Sequence, residues 1–218
     1  MRKFIIALFS TAACTTAAHA EPFSGFYVGA QVTRDAYEVK AEDVDLGGTF
    51  VNFDGLSGNG VGGGVYVGYD YLVTPDIFIG AEASASLSSA SASASLSDGT
   101  DSFGAKVKAR ESFGLSGRLG YKLTDSTGLY ARLGWQSTRF KTRVYDTTET
   151  PSTLFSDKRT EDAFVYGAGL ETSVGDSTSI RVEYVIEDYG SAGLKSDLGV
   201  SGIRVDNNKL SLGVSYRF

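Results

Sequence analysis

Apolar side chains recur at every second position through eight stretches of this chain: 26–33, 65–73, 77–85, 112–123, 129–136, 164–174, 180–187 and 210–218. In the last of them Leu210, Leu212, Val214, Tyr216 and Phe218 alternate with Ser211, Gly213, Ser215 and Arg217. Period two puts alternate side chains on opposite faces of a strand, so each stretch is apolar on one face and polar on the other. Segments two and three, four and five, and six and seven are joined by turns of about four residues rich in Asp, Pro, Ser, Thr and Gly. The remaining connections, 38–60, 88–104, 144–160 and 188–206, are long. Short turns on one rim and long loops on the other predict an all-β membrane protein, an eight-stranded antiparallel transmembrane β-barrel with long extracellular loops and short periplasmic turns.

A soluble eight-stranded barrel would show the same alternation with the apolar phase turned inward. The polar phase separates the two. It is rich in Gly and Ser with evenly mixed ions, which suits a crowded lumen better than a solvated surface. Apolar-phase aromatics gather near strand ends (Phe26, Tyr71, Tyr121, Tyr216, Phe218), where an interfacial girdle would lie. No stretch beyond the N-terminus approaches the ~18 apolar residues of a membrane-spanning helix.

The N-terminus reads as a secretory signal. Arg2 and Lys3 precede the apolar run 4–9, and Ala18-His19-Ala20 offers a cleavage site before Glu21. The domain expectation is a signal peptide over 1–20 and a barrel over 21–218. Cleavage between Ala20 and Glu21 would remove the single Cys (Cys14), His (His19) and Met (Met1). No cofactor is expected. A mature chain without thiol or imidazole excludes disulfides, His-based metal sites and Ser-His or Cys-His catalysis.

The whole mature chain resembles the small outer-membrane β-barrel family that includes the OmpA transmembrane domain, OmpX and the opacity-type porin-family surface proteins. The residues that carry the likeness are the opening 25–30 (GFYVGA), Glu82 within 79–82 (IGAE), and the closing Tyr216-Arg217-Phe218. The resemblance implies a bacterial outer-membrane location, contact with outer-membrane lipids and lipopolysaccharide, and a terminal Tyr216/Phe218 signal read by the barrel-assembly machinery. It also implies that the periplasmic domain of full OmpA proteins is absent.

An eight-stranded barrel is narrow enough to be filled by side chains. Glu82, Arg118, Arg132, Glu171, Arg181 and Glu183 fall in the polar phase at similar depth, three acids against three arginines. Mutual pairing in a lumen plug is expected, because an unpaired charge there costs several kcal/mol. Residues 83–97 (ASASLSSASASASLS) are an Ala/Ser alternation whose apolar phase changes at Ser88-Ser89. A β-bulge, a strand leaving the membrane, or a flexible low-complexity loop would each produce it.

Without Arg2 and Lys3 the chain carries 18 basic and 26 acidic residues, net −8. The four long connections hold the excess, which argues against binding nucleic acid or bare lipopolysaccharide phosphate. Phe50, Phe53, Tyr145 and Phe155 stand beside charge in the first and third connections, as candidate contacts for a host or matrix protein. Three function classes follow. A non-enzymatic surface protein supporting envelope integrity and adhesion or immune recognition leads; a small-solute pore is the alternative; an outer-membrane enzyme acting on lipid or peptide is disfavoured for want of His.

Overall fold

The computed structural model describes residues 21–45, 50–97, 102–146, 152–190 and 203–218. They form β1 (Gly25–Asp45), β2 (Phe50–Leu72), β3 (Ile77–Ser88), β4 (Ser91–Ser97), β5 (Ser102–Lys122), β6 (Thr127–Asp146), β7 (Ser152–Ser173), β8 (Thr178–Asp188) and β9 (Ile203–Arg217). Neighbours pair antiparallel in the order β1-β9-β8-β7-β6-β5-β3-β2, β4 prolongs β3, and β1–β2 pairing closes the ring. The nine segments make eight staves. Closure pairs each stave with a neighbour on both sides and leaves the ring without a free edge, as a hydrocarbon solvent demands.

The two faces are inverted relative to a soluble protein. Phe26, Val32, Val65, Leu115, Leu133, Phe164 and Leu212 are all more than half exposed, whereas charged residues fill the interior. These exposed side chains form the lipid-facing belt. The periplasmic turns 73–76, 123–126 and 174–177 have the expected length, and the Thr74 and Thr124 hydroxyls accept hydrogen bonds from the amides of Ile77 and Thr127 at 3.0 Å.

The extracellular side differs from expectation. Residues 38–45 with 50–60, and 144–146 with 152–160, are continued strand rather than loop. Register shifts at Val39/Lys40, Ala41/Val44 and Val144/Tyr145 mark these extensions. Above the bilayer the outward face no longer needs to be apolar, so the alternation fades while the ladder runs on.

The Ala/Ser segment is strand on both sides of a break at Ser89-Ala90. Its register with β2 is unchanged across the break, Gly62↔Ser88 below and Asn59↔Ser91 above. Even-numbered positions therefore keep facing inward, and Ala90 is buried in the lumen. Leu87 below the break faces lipid and Ala90 above it faces the lumen, so the apolar phase changes face here. The bulge belongs to the neighbouring stave, where β5 shifts register between Ala109 and Ser112.

Candidate functional site

The six ions expected at one depth meet in the lower lumen. Arg132 spans two acids, with Nη2 on Glu82 Oε1 at 2.6 Å and Nη1 on Glu183 Oε2 at 2.8 Å. Arg181 Nη1 donates to Glu82 Oε2 at 2.5 Å. Arg118 Nη2 donates to Glu171 Oε2 at 2.7 Å, and its Nη1 to the Tyr27 hydroxyl at 2.8 Å. Two further ions escaped the sequence reading. Arg217 Nη2 donates to Asp70 Oδ2 at 2.9 Å and to Glu171 Oε1 at 3.3 Å. All eight are at least nine-tenths buried, and four carboxylates balance four guanidinium groups. Asp70 and Arg217 were visible as polar-phase positions. Their meeting was not, because it joins β2 to β9 across the stave that closes the barrel.

Aromatic rings complete this layer. Arg118 lies 4.0 Å from the Tyr130 ring centroid and Arg181 3.5 Å from that of Tyr66, so their faces are covered by π-density. Each inward ring lies over a glycine directly across the ladder: Tyr27 over Gly68, Tyr66 over Gly29, Phe78 over Gly120 and Tyr130 over Gly169. A Cβ at any of these glycines would come within 2.1–2.4 Å of the ring. The glycine-rich polar phase is the socket for the lumen's aromatics.

Both ends of the lumen are covered. At the periplasmic end Phe23 stacks on Phe78 at 4.9 Å beside Tyr130. Phe23 takes φ +64° to fold back under the barrel, a conformation costing about 1–2 kcal/mol that its near-complete burial offsets. Near the extracellular end Lys209 Nζ pairs with Glu187 and lies 3.7 Å from Asp35 Oδ1. Asn207 Nδ2 bridges the same acids, at 2.9 Å to Glu187 and 3.2 Å to Asp35. Tyr37, Ala90, Ala109, Ala163 and Tyr189 roof this cluster with Phe140 and Val205. Between the two ionic layers, a cavity of about 30 Å³ lined by Gln31, Ser84, Ser86 and Gln136 is room for one or two waters.

The other sequence candidates separate. Tyr216 and Phe218 face outward, half or more exposed, with rings 5.1 Å apart, and the Phe218 amide donates to the Phe26 carbonyl at 2.9 Å. Glu21 is exposed, while Ala20 and the rest of 1–20 lie outside the described residues. Phe50, Phe53, Tyr145 and Phe155 have backbones on the strand extensions, and their side chains lie outside what is described. The described aromatics of this region, Tyr37, Phe140 and Tyr189, gather inside the roof instead. Among the described residues no three ligand-type side chains are placed to hold a metal.

Curated relatives include outer membrane protein A of Escherichia fergusonii, 35% identical over 104 residues. That alignment covers 48% of this chain and 40% of the relative, so the chain spans well under half of it. Similar solved structures include Ail, the attachment invasion locus protein of Yersinia pestis, at 16% identity and TM-score 0.45, covering 89% of this chain and 99% of that one. The outer membrane protease OmpT of Escherichia coli matches at 11% identity and TM-score 0.48, covering 90% and 97%. The family described as outer membrane protein beta-barrel domain matches residues 5–218, and the chain belongs to that family, whose place is the bacterial outer membrane.

Proposed function

We propose that this protein is a non-enzymatic, non-conducting barrel that supports the envelope and presents its strand extensions for surface recognition. The observation that carries this reading is the filled lumen, in which mutually paired ions are enclosed between Phe23 below and Tyr189 above. A pore for small solutes needs a continuous wet path, which an eight-stranded barrel packed in this way lacks. Catalysis would need a free nucleophile and base; the lumen carboxylates are instead held by Arg, Lys and Asn. Residues 1–20 serve as a cleaved signal, and Tyr216 with Phe218 supplies the insertion signal to the assembly machinery. Partners on the cell exterior, host or matrix proteins, meet the extended hairpins, where Phe50, Phe53, Tyr145 and Phe155 are the proposed contacts.

Two measurements test the reading. Planar-bilayer recordings of the purified protein are expected to show conductance far below that of a sixteen-stranded porin. Joining Val39 to Leu56, which are cross-strand partners, shortens the first hairpin without disturbing the register below it. That variant is expected to insert normally and lose binding to host-cell surfaces. Large stable currents from the wild type, or full binding by the shortened barrel, would overturn the proposal.

A further inference from the structure

The bulge in β5 has a consequence for the outside of the barrel. Below it Ser112 and Arg118 face the lumen; above it Ala109 does, so the inward parity passes from even to odd. Lys106, Lys108 and Arg110, which an unbroken strand would turn inward, therefore face outward. On β6 the alternation below Phe140, which packs in the roof, turns Arg139, Lys141 and Arg143 to the same outer surface. The ladder then sets Lys108 opposite Lys141 and Lys141 opposite Lys158, with Lys106 opposite Arg143. Like charges directly opposed across strands destabilise a sheet. Glu111 offsets Arg139 and Arg110, at 3.2 and 3.6 Å. Among the described residues, Lys106, Lys108, Lys141, Arg143 and Lys158 have no carboxylate ion pair. The Lys141 ammonium is held below its usual pKa, first by Arg143 and then by desolvation, Lys158 and Arg110.

Height identifies the occupant. Directly beneath, on the same outer face of the same three staves, lie Phe113, Leu115, Leu133, Trp135 and Phe164. From Leu123 to Phe113 the lipid-facing surface rises about 25 Å at a strand tilt of about 40°, the full height of an outer-membrane apolar band. Lys108, Lys141 and Lys158 stand five or six residues higher on their strands, about 10–15 Å above the band's upper edge. The long lysine stems reach down from this height toward the headgroup layer, roughly 5–8 Å thick above the hydrocarbon, where an outer-leaflet glycolipid carries its phosphates. The row stands on the wall that continues the lipid face. We propose that the outward face of β5–β6–β7, built on the row Lys108, Lys141 and Lys158, binds the phosphate groups of the surrounding lipopolysaccharide. The net acidity of the extracellular segments concealed this, because the bases are sorted onto one wall by strand parity. The inference is independent of the surface-recognition reading: a barrel with no external partner would still bind its own leaflet here.

Trp135 is the sole tryptophan and lies on the outer face just below the row, so its fluorescence reports on bound lipid. The full barrel, folded in neutral detergent micelles and checked by heat-modifiable gel mobility, would be titrated with bisphosphorylated lipid A and with dephosphorylated lipid A. The wild type is expected to prefer the phosphorylated form, with the preference shrinking as salt rises. The triple variant Lys108→Gln/Lys141→Gln/Lys158→Gln is expected to bind it roughly 100-fold more weakly at low salt, while the triple Lys→Arg variant retains binding. Equal wild-type affinity for the two lipids would overturn the proposal with no variant needed. So would an unchanged affinity in the folded Gln variant, or displacement of lipid A by an equal concentration of heparin octasaccharide, which would mark a soluble-polyanion site.

Discussion

The lower and upper halves of the lumen both bury charge, and they solve the problem differently. In the lower half four carboxylates meet four guanidinium groups, with planar forks shared between acids and several cation faces laid on aromatic rings. In the upper half two carboxylates share one ammonium, and amide, hydroxyl and phenol groups supply the remaining donors. Arginine's rigid fork suits a dry, multiply bridged network; lysine acts as a point charge that needs neutral helpers around its acids. The lower layer is neutral and interlocked, so removing any member strands a partner. The upper layer carries one surplus negative charge, so it matters which member is removed.

The largest effect should follow from opening the lower network. Arg181→Met is expected to destabilise the barrel by about 3–5 kcal/mol, read as a lower urea midpoint in lipid vesicles. Adding Glu82→Gln should recover part of that loss, since one carboxylate is then no longer stranded. A smaller and asymmetric response is expected above. Lys209→Met, which leaves Asp35 and Glu187 facing each other, should cost about 2–4 kcal/mol, whereas Asp35→Asn should stay within about 1 kcal/mol because it removes the surplus charge. If Asp35→Asn costs as much as Lys209→Met in the same unfolding assay, the distinction between the halves fails.

The smallest effect belongs to the exposed pair on the β7 extension. Arg159 Nε donates to Asp157 Oδ2 at 2.9 Å, and this bond, with the Lys158 amide, holds the Asp157 carboxyl below the usual aspartate range. A folded pKa below the unfolded one adds stability that is present above the ordinary aspartate pKa and is lost as pH falls through the lower value. Both side chains are solvated, so Asp157→Asn should leave the unfolding midpoint unmoved. An NMR titration of the Asp157 carboxyl should still find its midpoint displaced downward; a midpoint at or above the ordinary value would show that the pair does not form.

Strand number, the outward face and the short turns were legible because each is a local consequence of period two against two solvents. Val65, Val67, Tyr69 and Tyr71 must all meet lipid if one does, and the ring over Gly68 belongs to the opposite phase. Glu82, Arg118, Arg132, Glu171, Arg181 and Glu183 could be placed in the lumen by that same parity. Parity also carries the limit of the reading: above the bilayer it no longer separates apolar from polar, so the strand extensions looked like loops. The β5 bulge, which reverses parity without any mark in composition, hid the outward turn of Lys106, Lys108 and Arg110.

The sequence by itself thus determined a membrane barrel of eight staves, its lipid face and a charged interior, since alternation and turn chemistry act between residues close in the chain. Only the tertiary structure decided that Asp70 meets Arg217, that Lys209 is shared by Asp35 and Glu187, that rings seat in glycines across the ladder, and that three lysines line one wall. Each of those depends on the stagger at which β1 closes onto β2 and β9 or on a single register shift, which bring together residues as distant in the chain as Asp35 and Lys209, 174 positions apart. That stagger is a property of the closed ring and has no local signature in the chain.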